Sequence, residues 1–323
     1  MSFDRTSTTI LRGPALVLLG TVPLYSQGGV KVKTMVKSFP INADAYGGPL
    51  DKRIDVIATE ISFKPAGQIT AGILAACYPH TAAAPGASLL GASDVSAYVW
   101  PLNGKEKFEF KNAYVSKMPN ITASSVKTFM GEITIRCIGA DNTAMSDAAK
   151  QYVLSATAAF TDTSWATSQV MTVPYTGVLG ALSAPWTGIV TKAGWEISFD
   201  IPTEDIITDT DGLVDVLYKE NPKITARCQP IGITATDIYA LMQVQNTGTA
   251  RGATMLGTGH LEDLVIDAGV GYPKMTLKNM HIETAPTAYE IGKDRIDNLE
   301  FVTCRQVATN VLADLFSIGL HPA

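Results

Sequence analysis

The sequence predicts a mainly β protein of the α+β kind, in which two repeated curled-sheet or β-sandwich domains each carry one short helix. Three observations predict it. Short segments such as "EITIRC" at 132–137 alternate apolar and polar residues with the period of a half-buried strand. Segments of the first half recur in the second half in the same order. A single fault in the alternation occurs once in each half, each time at a Lys-Asn pair.

The recurrence is a series. "GASLLG" at 86–91 matches "GATMLG" at 252–257, a displacement of 166, and "FEFKNAYV" at 108–115 matches "MTLKNMHI" at 275–282, a displacement of 167. "DVIATEISF" from Asp55 aligns with "KITARCQPI" from Lys223 at 168, and "EITIRC" meets "NLEFVT" at 298–303 at 166. Four segments in one order at nearly one displacement predict a duplicated chain, with domains at 1–158 and 159–323. A chain of 323 residues suits that division, because single cores stop growing beyond about 250–300 residues.

Each half then reads as strand, long loop, strand, helix and strand pair. In the first half the elements fall near Val30–Phe39, Asp55–Lys64, Gln68–Tyr78, Glu106–Met118 and Thr128–Ile138. The helix rests on Ile69, Ile73, Leu74 and Cys77, which share one face at helical spacing. In the second half the elements fall near Gly194–Ile201, Lys223–Ile231, Thr234–Val244, Lys274–Glu283 and Ile296–Arg305. The Ala/Ser/Thr-rich run Leu154–Val170 serves as a linker or an edge element. The apolar run Gly13–Tyr25 is too short to span a bilayer and is broken by Pro23, so an extended buried segment is expected there.

The fault at Lys-Asn has a physical account. An extra residue in one strand of an antiparallel pair makes a β-bulge, which bends the strand. Asn112 and Asn279 suit that place, since Asn tolerates the left-handed backbone. A tight hairpin turn is the rival, and the absence of Gly beside either Asn speaks against it.

Hydrophobic residues make up 46% of the chain and charged ones 17%, so much surface must be covered by something other than Lys and Glu. A large interface would cover it. Charge is divided unequally: residues 1–158 hold 15 Lys and Arg against 11 Asp and Glu, and the remainder hold 10 against 19. Halves of opposite charge attract, which favours head-to-tail contacts between first and second halves. The imbalance concentrates at candidate contact residues. Lys31, Lys33 and Lys37 lie on the first strand, Lys52 and Arg53 follow its loop, and Glu204, Asp205, Asp209, Asp211 and Asp215 lie in the loop of the second half.

Chemistry is scarce. Asp209, Asp211 and Glu220 match positions 1, 3 and 12 of a calcium loop, but Leu213 and Val214 occupy positions 5 and 6, where a ligand and a Gly are needed. Cys77, Cys137, Cys228 and Cys304 lack metal or disulfide spacing, and His80, His260, His281 and His321 stand apart from any nucleophile motif. "DAGVGYP" at 267–273 lacks the third Gly of a phosphate cradle. No enzyme, cofactor or metal is expected. A pI of about 5.4 speaks against phosphate contacts of the usual kind.

A duplicated β-domain with a helix between strands, a long strand-connecting loop and an apolar surface resembles the tail tube proteins of long-tailed bacteriophages. The resemblance covers the layout of most of the chain. It implies a virion structural protein, assembled in the bacterial cytoplasm, whose sheets join an oligomeric inner β-barrel and whose helix stays outside. Members with two fused domains form trimeric, pseudo-sixfold rings stacked into a hollow tube, so the partners implied are further copies and other tail proteins at the tube ends, without membrane insertion. The loops Ile41–Lys52 and Thr203–Asn221 would then carry ring-to-ring contacts. DNA would pass through an acidic channel without specific binding, as like charge repels phosphate. Candidate channel-facing residues alternate with core apolars: Glu60, Glu132, Thr134, Glu196, Asp200 and Glu300. A baseplate hub or distal tail protein, and a two-domain binding or enzymatic protein, are the alternative readings.

Overall fold

A computed structural model describes residues 15–43, 48–67, 69–79, 86–90, 95–101, 106–138, 152–156, 174–180, 188–208, 212–219, 222–232, 262–284, 298–303 and 315–322. The protein is mainly β. Its first half contains β1 (Ala15–Leu19), β2 (Val22–Ala43), β3 (Gly48–Ala66), α1 (Ala71–Cys77), β4 (Ala97–Pro101), β5 (Glu106–Phe110), β6 (Ala113–Lys117), β7 (Ile121–Ala123), β8 (Ile133–Cys137) and β9 (Tyr152–Ala156). The second contains β10 (Thr176–Leu179), β11 (Val190–Asp200), β12 (Thr203–Thr208), β13 (Gly212–Tyr218), β14 (Lys223–Ile231), β15 (Glu262–Asp267), β16 (Pro273–Thr284), β17 (Leu299–Thr303) and β18 (Phe316–Leu320).

The Lys-Asn pairs are bends in long strands, as the alternation fault predicts. Asn112 and Asn279 are the non-glycine residues with positive φ among those described, at 48° and 53°. Before Asn112 the strand, as β5, pairs with β4 and β9; after it, as β6, it pairs with β8. The corner is pinned on both sides. Ala113 N–H donates to Val95 O at 2.7 Å, and Asn112 O accepts from Ile138 N–H at 3.3 Å. At Asn279 the register slips: Glu262 lies opposite Met280 and Leu264 opposite Leu277, which leaves one extra residue in β16. Beyond that bulge β16 moves from β15 and β18 to β17.

Strands of the two halves pair in the same order. In the first half β1 joins β4, β4 joins the bent strand β5/β6, and β8, β3 and β2 follow before the path returns to β1. In the second half β10, β15, the bent β16, β17, β14 and β11 follow that series. Gly177 of β10 closes the path through reciprocal hydrogen bonds with Ile189, next to β11. The registers refine the sequence alignment. Ile61 faces Ile135 and Ala226 faces Phe301, so β3 and β14 correspond at a displacement of 165 and not 168. The difference matters because side chains alternate with period two: 168 would match core Ile61 to half-buried Gln229, whereas 165 keeps inward residues in phase.

Each curled sheet turns its apolar residues inward. One contiguous core runs through both halves, from Ile61, Phe63, Ile133 and Ile135 to Trp195, Ile224, Leu277 and Phe301. Two elements of the first half join it to the second. β7 adds an edge to the second sheet by pairing with β11, and Gly194 makes that approach feasible: its φ is +89°, and a Cβ there would stand 2.4 Å from Ala123 O. From the end of α1, Tyr78 packs on Phe199, which packs on Phe316, with ring centroids 5.4 and 5.1 Å apart. Thr70 caps the helix by accepting from Ile73 N–H, and the predicted face Ile73, Leu74 and Cys77 is the buried one.

Several expectations are corrected in detail. Ile41–Lys52 and Thr203–Asn221 read as loops because their alternation is broken by Pro and Asp, yet both are largely strand, in the β2–β3 and β12–β13 ribbons. The run from Leu154 begins as β9, an edge strand on β5. The run Gly13–Tyr25, expected as one extended buried segment, is from Ala15 a hairpin: β1 and the start of β2 pair across a turn at Gly20–Thr21, with Leu16, Val17 and Leu24 buried. The second helix, at 234–244, the domain boundary at 158/159, and His80, His260 and Cys304 lie outside the described residues. No helix among the described residues is long and apolar enough to cross a membrane.

Candidate assembly surfaces

The outward face of the curled sheets carries the candidate channel residues. Thr59, Ile61 and Phe63 of β3 point into the core, so Glu60 and Ser62 point out; on β8 the same alternation turns Thr134 and Arg136 out. In the second half Glu196 and Asp200 of β11 and Glu300 of β17 are on the outer face, opposite in direction to Trp195, Ile197, Leu299 and Phe301. Glu132 is exposed just before β8.

That face is mixed in charge, because strand register sets cations beside the acids. Glu60 stands between Lys33 of β2 and Arg136 of β8. Lys31 stands opposite Ser62, whose hydroxyl lies 3.3 Å from that of Thr134. At the corresponding place in the second half the hydroxyl pair is replaced by ions: Arg227 Nε and Nη2 donate to Glu300 at 3.0 and 3.1 Å. Glu196 lies across from Arg227 and 3.6 Å from Lys127. The row Glu196, Arg227 and Glu300 borders an open groove of about 430 Å³, with Gln229 and Asn298 on its rim.

The second surface is the long ribbon. β2 is paired to β1 as far as Tyr25, and β3 to β8 from Thr59, so beyond those points each strand has the other as its ladder partner out to the Ala43–Gly48 pair. Lys37 and Lys52 are exposed on it, Arg53 lies on β3 opposite Phe39, and Lys31 and Lys33 are exposed on β2 before it, opposite Ser62 and Glu60 of the sheet. Val32 and Ile41 are also exposed, at 46% and 49%.

The acidic hairpin behaves differently. Asp205 forms a two-pronged ion pair with Arg136, at 2.8 and 2.9 Å, and Asp215 accepts from Ser88 Oγ at 2.6 Å. Leu217 forms a bridge with Ser88, supported by Tyr218 N–H to Ala87 O at 3.0 Å and Leu89 N–H to Val216 O at 2.9 Å. Leu213 and Val216 bury beside Ala58, Tyr114 and Ile138. Burial opposes the charge on Arg136, but the bonds from Asp205 outweigh it and raise the guanidinium pKa; burial also pushes the neighbouring Tyr114 hydroxyl up to about 12. Thus Asp205 and Asp215 make contacts within the chain. Glu204 is exposed with Lys219 3.7 Å away, and Asp209 and Asp211 lie outside the described residues.

Arg136 and Ser88 escaped the sequence reading, which took the opposite charges of the halves as a device between copies and not as a contact within one chain. Cys77, Cys137 and Cys228 are buried free thiols, pushed up by desolvation, to about 12 for Cys77. His321 Nδ1 lies 2.6 Å from Asp267 and ties the chain after β18 to β15. Among the described residues no group of three His, Cys, Asp or Glu is placed to hold a metal ion. Searched against models of known protein families the chain matches none, and no curated protein matches it.

Proposed function

We propose that the chain is a structural protein that assembles with copies of itself, and that its assembly is a hollow phage tail tube built of stacked trimeric, pseudo-hexameric rings. The observation that carries this reading is the strand series shared by the two halves, down to a left-handed Asn at the bend of each long strand. A chain that repeats one curled domain supplies two near-equivalent positions to a ring, and three chains complete six. The outward acids and cations would line the channel or its seams. The exposed ribbon would reach the next ring, consistent with a composition in which 17% of residues are charged.

In this reading no residue catalyses a reaction, DNA passes without specific contacts, and the chain resides in the virion. A mixed channel face still resists phosphate capture: Arg227 is neutralised by Glu300 and Arg136 by Asp205. Negative-stain microscopy of the purified chain tests the proposal. Hollow stacked tubes support it; a single closed trimer favours a baseplate hub or distal tail protein, and a monomer at high concentration contradicts both.

A further inference from the structure

β2 and β11 hold the same place in the two strand series, and the structure shows what covers one of them. Val30 lies opposite Phe63 and Trp195 opposite Cys228, so these strands correspond at the displacement of 165 that relates β3 to β14. Each enters its pairing through a register shift, between Gln27 and Val30 or between Thr191 and Trp195. A glycine with positive φ ends each shift, Gly29 at 97° and Gly194 at 89°. Each strand has β3 or β14 on one edge and starts its other edge beside the first strand of its half: β2 pairs with β1 up to Tyr25, and Ile189, just before β11, bonds to Gly177 of β10. Beyond that point the edges differ. On β11, Trp195, Glu196 and Ile197 pair with Ala123, Thr122 and Ile121 of β7, from the first half. On β2 the matching Val30, Lys31 and Val32 have no strand on that edge among the described residues. The side chains differ accordingly. Val32 and Ile197 lie in the inward row, opposite Ile61 and Ala226, yet Ile197 is 1% exposed and Val32 46%. A Cβ on Gly194 would stand 2.4 Å from Ala123 O, while one on Gly29 would meet nothing within 4 Å among the described residues. The bulge that admits β7 is built twice and used once within the chain.

We propose that β2 at Val30–Val32 is an acceptor edge for strand addition by a second copy of the chain, whose segment after β16 takes the place that β7 takes on β11. The proposal rests on the self-assembly proposed above and assigns the side-by-side seam between copies. The donor follows from the bends. Pro119 lies seven residues beyond Asn112 and Pro286 seven beyond Asn279, so Thr287–Glu290 is the sequence counterpart of Asn120–Ala123, the segment that enters β7. An edge strand with open N–H and C=O groups gains a ladder when a strand is added, and here it would bury Val32 as well. The seam inside the chain is head to tail, because the first half gives the strand and the second half receives it. Such a contact leaves each chain with one acceptor, on β2, and one donor, after β16, and further copies repeat it until a ring closes.

Hydrogen exchange on the full wild-type chain, below and above the concentration at which sedimentation velocity shows assembly, tests the proposal. Amides of residues 30–33 and 287–290 are expected to slow together, and only on assembly. Sedimentation velocity then compares Val32→Asp, which sets a charge on the acceptor edge, with Val270→Asp, the same change at a residue 59% exposed in the turn between β15 and β16. Circular dichroism establishes that each variant is folded. Val32→Asp is expected to need at least about tenfold more protein to assemble, and Val270→Asp to stay within about threefold of wild type. Assembly that slows neither segment, slowing already complete in the monomer, Val32→Asp assembling like wild type, or Val270→Asp impaired as severely overturns the proposal and leaves the self-assembly reading standing. A wild-type chain that stays monomeric at every concentration overturns both.

Discussion

Arg136 on β8 and Asp205 on β12 face each other with two nearly parallel hydrogen bonds, Nη1–Oδ1 at 2.8 Å and Nη2–Oδ2 at 2.9 Å, across 69 positions of sequence. Their side chains are 13% and 26% exposed, so the pair is shielded from much of the water that weakens surface ion pairs. This contact fastens the acidic hairpin of the second half to the basic first half. Asp205→Ala leaves a partly buried guanidinium without its partner and should destabilise the chain by about 2 kcal/mol, toward the low end for a broken buried pair because some solvent reaches it. Chemical denaturation measures the loss. In a double-mutant cycle with Arg136→Ala, the two losses should fall short of additivity by at least about 0.5 kcal/mol; strict additivity would mean the pair contributes no coupling.

The bend at Asn112 yields a second test. An L-residue with a branched Cβ is disfavoured at a φ of 48°, whereas Gly reaches it freely. Asn112→Val should lower stability by about 1–2 kcal/mol, and Asn112→Gly should change it by well under 1 kcal/mol. Thermal melts of the two variants decide between backbone geometry and side-chain contact: if Gly costs as much as Val, the side chain matters and the left-handed backbone does not.

His281 makes stability depend on pH. Burial lowers its pKa below the usual 6.5, with Lys223 acting in the same direction and Glu283 and the Val302 backbone opposing. The unfolded chain therefore takes up a proton first as pH falls. The contribution of this residue is fully present above about pH 6.5 and is lost as pH drops through the lower folded value. Denaturation midpoints for wild type and His281→Gln, compared from pH 7.5 to 5, should show a shallower decline in the variant. Parallel curves would remove His281 as the cause.

How much was legible in the sequence depended on period and on local chemistry. The strand pair at 108–115 and the bulge at Asn279 could be read because alternation counts residues one by one, and an extra residue shows as a slip. The outward direction of Glu60, Thr134, Glu196 and Glu300 followed from the same count. The ribbon 41–52 read as a loop because Pro40, Pro49 and Asp51 break the apolar pattern. β7, three residues long, gives too short a window for any period, and its partner β11 comes from the other half. Arg136 gave no signal of its own, since its partner is set by the fold of a hairpin 69 positions away.

The central claim, that one chain supplies two ring positions, is tested most directly by native mass spectrometry of the smallest ring, with rotational averaging of its end-on images. The account predicts a mass of three 34.3 kDa chains and images with threefold symmetry and a strong sixfold component. A closed ring of six chains, or no ring at any concentration, would contradict it.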